Sequence, residues 1–417
     1  MASPDFLPYG RQSIDDDDIA AVTAALRADL LTTGPLVDSF EDAVAVATGA
    51  PHVVACNNGT SALYMAAKAL GVGAGDVVIV PSMTFLATAS APHLAGAEVV
   101  FTDVDPDTGL MRPEDLEAAL STARRLYPGR PAKAVFVVHL NGQSADMPAL
   151  KTVADSVGAA IIEDACHAFG GLTRRADDAG SDGRDSTVGD CRWSAMATFS
   201  FHPVKSVAMG EGGAVTTGDA ELAERLRLVR NHGMTRTASG WENRDMAFSA
   251  SGDPNPWYYE LVEAGFNFRV PDILCALGIS QLRKLDVWSE RRRTLHEGYC
   301  TRLEEAGLGD LAPARVVWGS PAWHLCAARI PFSERGLDRA DVMTRLRVDF
   351  GVGSQVHYIP VHAQPYWRHR YGDFRLPGAE RYYSRALSLP LYPALTEDDL
   401  DRVVDALAKS VSEIGRK

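Results

Sequence analysis

"HVVACNNGTSALYMAAKALGVGAGDVVIVP" (residues 52–81) carries two apolar runs, 52–57 and 77–81, separated by an Ala- and Leu-rich segment at 60–70. The runs are apolar at successive positions, not alternate ones, as in strands buried on both faces. The segment between them has helical composition, so the stretch reads strand–helix–strand. The unit then repeats. "FLATASAPHLAG" (85–96) reads as a helix, "EVVFTDV" (98–104) as a strand and "PEDLEAALSTA" as a helix. "AVFVVHL", "MPALKTVADSVG" and "AAIIEDA" continue it as strand, helix and strand. The expected fold is α/β, with a mostly parallel sheet covered by helices on both faces.

Two stretches read as long loops: "TRRADDAGSDGRDSTVG" (173–189) and "TRTASGWENRDMAFSASGDPNP" (235–256). In the second, Trp241 and Phe248 imply packing on something. "QLRKLDVWSERRRTLHEGYCTRLEEAG" (281–307) reads as one long amphipathic helix bridging to a second unit. The expected division is an N-terminal arm and large domain over 1–280, then a bridging helix and smaller C-terminal α+β domain over 281–417. No internal repeat is visible.

The chain has 417 residues, 46% apolar and 23% charged, an ordinary globular composition. A net charge of −13 argues against general nucleic-acid binding. Any phosphate must therefore be met by local geometry. No apolar run approaches the roughly 20 residues of a membrane span. The opening "MASPDFLPYGRQSIDDDD" lacks the pattern of a signal peptide. Six dispersed cysteines form no CxxC pair, and reduced thiols in a cytoplasmic protein are expected.

Lys205 stands in "FSFHPVKSVAMGEGG" (199–213), an apolar setting. Burying an ammonium costs several kcal/mol unless it is paired or neutralised. "CNNGTSAL" (56–63) is a strand end, a turn and a helix start, and such a corner binds anions. The hydroxyls of Thr60 and Ser61 serve there either as plain helix caps or as phosphate ligands. The lysine of a P-loop and the glycine spacing of a dinucleotide fingerprint are both missing, and "GVGAGD" (71–76) reads as a turn. "IIEDACHAFGG" (161–171) ends an apolar strand with two acids, at the sheet edge where ligands bind. An acid there binds a metal, acts as a base, pairs with a cationic ring or simply caps a helix. A phosphate corner, a strand-end acid and a lysine that forms a Schiff base are together the parts of a pyridoxal-phosphate site.

At this point the chain resembles the DegT/DnrJ/EryC1/StrS sugar aminotransferases, fold type I pyridoxal-phosphate enzymes. The stretches are "NNGTSAL", "PSMTFLATAS", "HLNGQSADM", "EDACHAFGG", "FSFHPVKS…GEGG", "RNHG", "GFNFRVPDILCALGISQL" and "VHYIPVH". They span nearly the whole chain. The resemblance implies a large domain with a seven-stranded, mostly parallel sheet. It makes Lys205 the Schiff-base lysine and Asp164 the partner of the ring nitrogen. It puts His167 near the ring hydroxyl and Phe85 on the ring face. It sets Ser200, Gly59 and Thr60 on the phosphate, joined by Asn267 from the other subunit of a homodimer. Relatives that remove a sugar hydroxyl carry histidine at the lysine position, so Lys205 favours transamination.

"YGRQSIDDDDI", "VGDCRWSAMATFSFHPVK", "NPWYYELVEAGFNFR" and "VHYIPVHAQPYW" look closest to the branch that makes UDP-4-amino-4,6-dideoxy-N-acetyl-altrosamine for pseudaminic acid. That implies a UDP-linked 4-keto-6-deoxy-N-acetyl sugar as substrate and glutamate as donor, with Thr32, His357 and Tyr358 facing the nucleotide sugar. The longer loop at 173–187 departs from the branch and marks a place where substrate contacts differ. Arg192, Arg230, His232 and His357 are candidate groups for the anionic substrate. From the residues alone, the aromatics and histidines of "VHYIPVHAQPYW" suit stacking on uracil or sugar, or a surface-packed strand and loop. Two rival functions are weighed: a metal hydrolase built on His357 and His362, and a catalytically silent member of the same fold. No metal is expected.

Overall fold

The computed structural model describes residues 6–179, 181 and 183–412. Seven strands form the main sheet: β1 (His52–Cys56), β2 (Val77–Pro81), β3 (Glu98–Thr102), β4 (Ala132–Val138), β5 (Ala160–Asp164), β6 (Met196–Ser200) and β7 (Gly213–Thr217). Their order is β1-β7-β6-β5-β4-β2-β3. Every pairing from β6 to β3 is parallel, and β7 alone runs antiparallel, between β1 and β6. The sheet is thus mostly parallel, as the alternating pattern predicts.

Both faces are buried. Val78 and Val80 of β2 join one apolar core with Ala134 and Phe136 of β4. Val77 and Ile79 join another with Val135 and Val137. The alternation follows from the two-residue period of a strand. Parallel strands carry their ends to one edge, and β1, β5 and β6 stop there at Cys56, Asp164 and Ser200. Gly213, where β7 starts, pairs with both Cys56 and Ser200, which sets the first and third of these ends at one level on either side of it.

A further core lies between a long helix (Leu285–Glu305), the antiparallel pair Cys326–Arg329 and Ala386–Leu389, and the helix Glu397–Ser412. Tyr299 at its centre donates from its hydroxyl to Pro390 O at 2.9 Å. The N-terminal arm crosses this unit. Leu7 bonds to Gly351 and Gly353, and Tyr9 O accepts from Leu391 N.

Of the long helix expected over 281–307, Leu285–Glu305 forms one helix, while Gln281 and Leu282 end a separate helix, Asp272–Leu282. At the break, Lys284 is drawn to the buried carboxylate of Asp18, 3.0 Å away, and Gln281 Nε2 also bonds to Asp18. The 173–189 segment is not all loop, because Leu172–Arg174 pairs with Ser186–Thr187. In 235–256, Trp241 packs its ring against Phe248 and Tyr258 at centroid distances of 5.7 and 4.8 Å, the packing its aromatics imply.

Candidate functional site

The carboxyl edge of the sheet opens on a cavity of about 680 Å³. Lys205, Asp164, the Asn58–Thr60 corner, Ser200, Phe85 and His167 line it, together with His357 and Tyr358.

Asn58 precedes the helix α1 (Gly59–Ala69) and caps it, its Oδ1 accepting from Ser61 N at 2.8 Å. So neither Thr60 nor Ser61 is the cap. First-turn N–H groups have no partner inside a helix, and those of Gly59 and Thr60 remain for a ligand beside the exposed Thr60. The helix is packed hard against the end of β6: a Cβ at Gly59 would stand 2.8 Å from Ser200 Cβ.

The two acids of β5 separate by strand alternation. Glu163 is buried on the far side, bonded to His139 Nε2 at 2.7 Å and to the Ser194 hydroxyl. Asp164 faces the cavity, its Oδ2 accepting from Thr88 Oγ1 at 2.6 Å and its Oδ1 from Cys166 N at 3.2 Å.

Lys205 sits in the turn between β6 and β7. The turn is pinned by bonds from Phe201 N to Gly212 O and from Met209 N to Phe201 O, and by the buried side chains of Phe201, Val207 and Met209. Burial lowers the lysine's proton affinity, against the opposing pull of Cys166 and Asp164. Its Nζ lies 3.5 Å from His324 Nε2. Two more imidazoles stand near. His167 Nε2 is 3.0 Å from the Tyr358 hydroxyl, and His357 Nδ1 is 2.8 Å from Ser388 Oγ. Burial, aided by the Lys205 charge, holds His167 and His324 well below the usual histidine range and brings His357 to about 3.

Not every expected residue arrives. Thr32 and Asn267 are exposed and are not among the lining residues of the cavity. Of the four candidate groups for the anionic substrate, only His357 lines it. Arg230 is engaged by Glu41 at 2.6 Å and by Ala55 O. Arg192 bonds to Asp185 O, and His232 lies in the turn before Gly233. Nor do the described residues of the 173–187 segment line the cavity. Leu172 pairs with Ser320, and the Arg174 guanidinium lies 5.0 Å over Trp318. The "VHYIPVHAQPYW" stretch divides. His357 and Tyr358 line the cavity, whereas His362 bonds to Ser82 Oγ at 2.6 Å and Trp367 is buried against Phe101. His357 and His362 are therefore spent on hydroxyls of different elements, and among the described residues no cluster of three or more metal-ligand side chains forms.

Sequence reasoning missed Thr88, Tyr9 and His324. Thr88 stands in the quoted "PSMTFLATAS", in the first turn of the helix Leu86–Leu94, and Thr84 lies just before that helix. Tyr9 lines the cavity 5.3 Å from the His357 ring.

The model of the DegT/DnrJ/EryC1/StrS aminotransferase family matches residues 12–408. The chain is 38% identical over 404 residues to the spore coat polysaccharide biosynthesis protein SpsC of Bacillus subtilis, covering 96% of each. Among solved structures it is similar to DesI, crystallised in the presence of its TDP-sugar product. There the TM-score is 0.81 and the identity 31%, over 99% of this chain and 94% of that one. It shares its fold with Helicobacter pylori PseC, an aminotransferase of pseudoaminic acid biosynthesis, at TM-score 0.82 and 24% identity over 97% and 99% of the two chains.

Proposed function

The chain belongs to the DegT/DnrJ/EryC1/StrS aminotransferase family, and on that footing we propose that it uses pyridoxal 5′-phosphate to move an amino group from glutamate to C4 of a UDP-linked 4-keto-6-deoxy-N-acetylhexosamine. One observation carries this reading: a half-buried lysine, a strand-end carboxylate and a helix N-terminus surround a single cavity. These residues fit the cofactor. The first-turn N–H groups of α1, with Thr60 and Ser200, suit its phosphate. Asp164, oriented by Thr88, suits its ring nitrogen. Phe85 offers an exposed ring for stacking, and His167 with Tyr358 suits the ring hydroxyl.

Bound pyridoxal phosphate supplies the electron sink through which an amino group is exchanged. Lys205 would hold it and, with its amino group free, would take a proton at Nζ and return it elsewhere on the substrate. Burial lowers that nitrogen's proton affinity, the direction a base requires. The arm and residues up to 280 are assigned to the cofactor-binding domain, and residues from 281 to the small domain.

A second subunit is proposed from what one chain leaves undone. Asn267 is exposed and is not among the lining residues of its own cavity, and Trp257, Leu261 and Phe266 near it in sequence are 72%, 65% and 60% exposed. Large apolar side chains grouped this way mark an interface. A homodimer that covers them and lends Asn267 to the neighbouring phosphate site fits both facts.

The sugar is argued from the four stretches that resemble the altrosamine branch and from an aromatic wall. Phe85 and Tyr358 stand 5.8 Å apart, with Tyr9 and His357 beyond, which suits uracil or a pyranose face. His357 and Tyr358, with Thr32, are assigned to the nucleotide sugar. The 38% identity to SpsC favours a second reading: another 4-keto sugar nucleotide, bound for a coat polysaccharide. The test offers the amino form of the loaded enzyme three sugars: the UDP-2-acetamido-β-L-arabino-hexos-4-ulose, its D-xylo isomer and GDP-4-keto-6-deoxymannose. Fastest turnover of the first supports the proposal; fastest turnover of either other sugar overturns the substrate assignment.

A further inference from the structure

We propose that His324 is a positioning residue for Lys205: its Nε2 receives a hydrogen bond from the free ε-amino group and holds that group inside the cavity. The inference rests on the assignment of Lys205 as the cofactor lysine.

The two side chains are 119 positions apart in sequence and 3.5 Å apart in space. That approach is built into the backbone. His324 N donates to Asn141 O at 3.0 Å, and Ala322 N donates to Gly142 O at 3.0 Å. Gly142 has φ 99°, and a Cβ there would stand 2.0 Å from Ala322 O. Only glycine lets the 322–324 segment lie against the end of β4. Next along the chain, Trp323 is stacked on His296 at 3.6 Å between centroids and 6° between planes, which locks the segment from behind. The His324 ring is 4% exposed, and its Nδ1 has no hydrogen-bond partner. Its only side-chain hydrogen bond among the described residues is therefore the one to Lys205.

The charges around Lys205 favour a neutral acceptor. Asp164 and Cys166 raise the proton affinity of Lys205, and the Lys205 charge lowers that of His167, His324 and His357. His324 is kept unprotonated by burial and by the nearby cations Lys205 and Arg292. A neutral imidazole can accept from an ammonium, whereas a protonated one would repel it.

The experiment uses the cofactor-free protein. Acetic anhydride labels lysines in competition with an internal standard across pH, and peptide mass spectrometry reads each lysine separately. A neutral hydrogen-bond acceptor is worth about 1 kcal/mol, so its loss moves the Lys205 midpoint down by roughly half to one pH unit. His324→Phe is expected to show that shift, His324→Gln to restore most of it, and Lys68 and Lys133 to be unchanged in both. A Lys205 midpoint that stays put in His324→Phe overturns the inference while leaving the lysine assignment intact. Attachment of the cofactor to a different lysine in the wild-type protein instead overturns the assignment on which it rests. Should His324→Phe fail to fold, a His324→Gln profile unlike the wild type's counts against the inference equally.

Discussion

Thr88 Oγ1 lies 2.6 Å from Asp164 Oδ2 and 2.6 Å from Thr84 Oγ1, so the strand-end carboxylate is held by a relay of two hydroxyls from the segment that follows β2. All three side chains are buried. Hydrogen bonds to a charged acceptor contribute about 1.5–3 kcal/mol. Thr88→Val keeps the shape and removes the donor. It is expected to weaken pyridoxal-phosphate binding by about ten-fold or more, read as a dissociation constant by fluorescence titration. An unchanged constant would show that Asp164 needs no such support.

Gly59 is expected to tolerate no side chain. Alanine there must push the first turn of α1 away from Ser200, because the added carbon would stand 2.8 Å from Ser200 Cβ. Overpacking of this kind costs about 1–3 kcal/mol. Gly59→Ala should therefore lower the melting temperature and also lose phosphate affinity. Serial binding measurements with pyridoxal phosphate and with pyridoxal separate the two effects. Only the phosphorylated ligand should be penalised if the corner is the phosphate site.

Acid sensitivity should track the buried histidines. His296 is brought to about 3 by burial, against about 6.5 in an unfolded chain. Between those values the unfolded state binds the extra proton, so stability falls as pH falls, by about 1.4 kcal/mol per pH unit for each such histidine. Above about 6.5 the contribution is level. His296→Phe keeps a ring against Trp323 and removes the titration. Urea midpoints should fall less steeply with acid in this variant than in the wild type, and parallel slopes would refute the assignment.

Complementation tests the shared site. Lys205→Ala and Asn267→Ala are each expected to be nearly inactive as homodimers. Mixed after partial unfolding, they should regain activity, since one of the two sites in a mixed dimer then carries both intact residues. No recovery, with mixed dimers demonstrated by mass, would remove Asn267 from the partner's site.

The sheet was legible because a strand covered on both faces must be apolar at every position, as β2 and β4 are. Lys205, Asp164, Gly59, Thr60 and Ser200 were legible because parallel strands deliver their ends to one edge, so residues that follow each strand in sequence meet in space. Asn58 as the cap was readable from its side chain but competed with Thr60 and Ser61. His324 carried no local signal, since it reaches Lys205 only through the approach of its segment to Gly142. Arg230 of "RNHG" suggested substrate binding, yet its guanidinium satisfies Glu41. The split at 283–284 was hidden because both halves are good helix, and the buried Asp18 that draws Lys284 lies far away in sequence.

The central claim is that Lys205 carries the cofactor. The direct measurement is to load the protein with pyridoxal phosphate, reduce it with borohydride, digest it and locate the modified peptide by mass spectrometry. The account predicts a single reduced adduct on Lys205, within the stretch 199–213. An adduct on Lys68, Lys133, Lys151, Lys284 or any other lysine, or no adduct from protein that binds the cofactor, would contradict it.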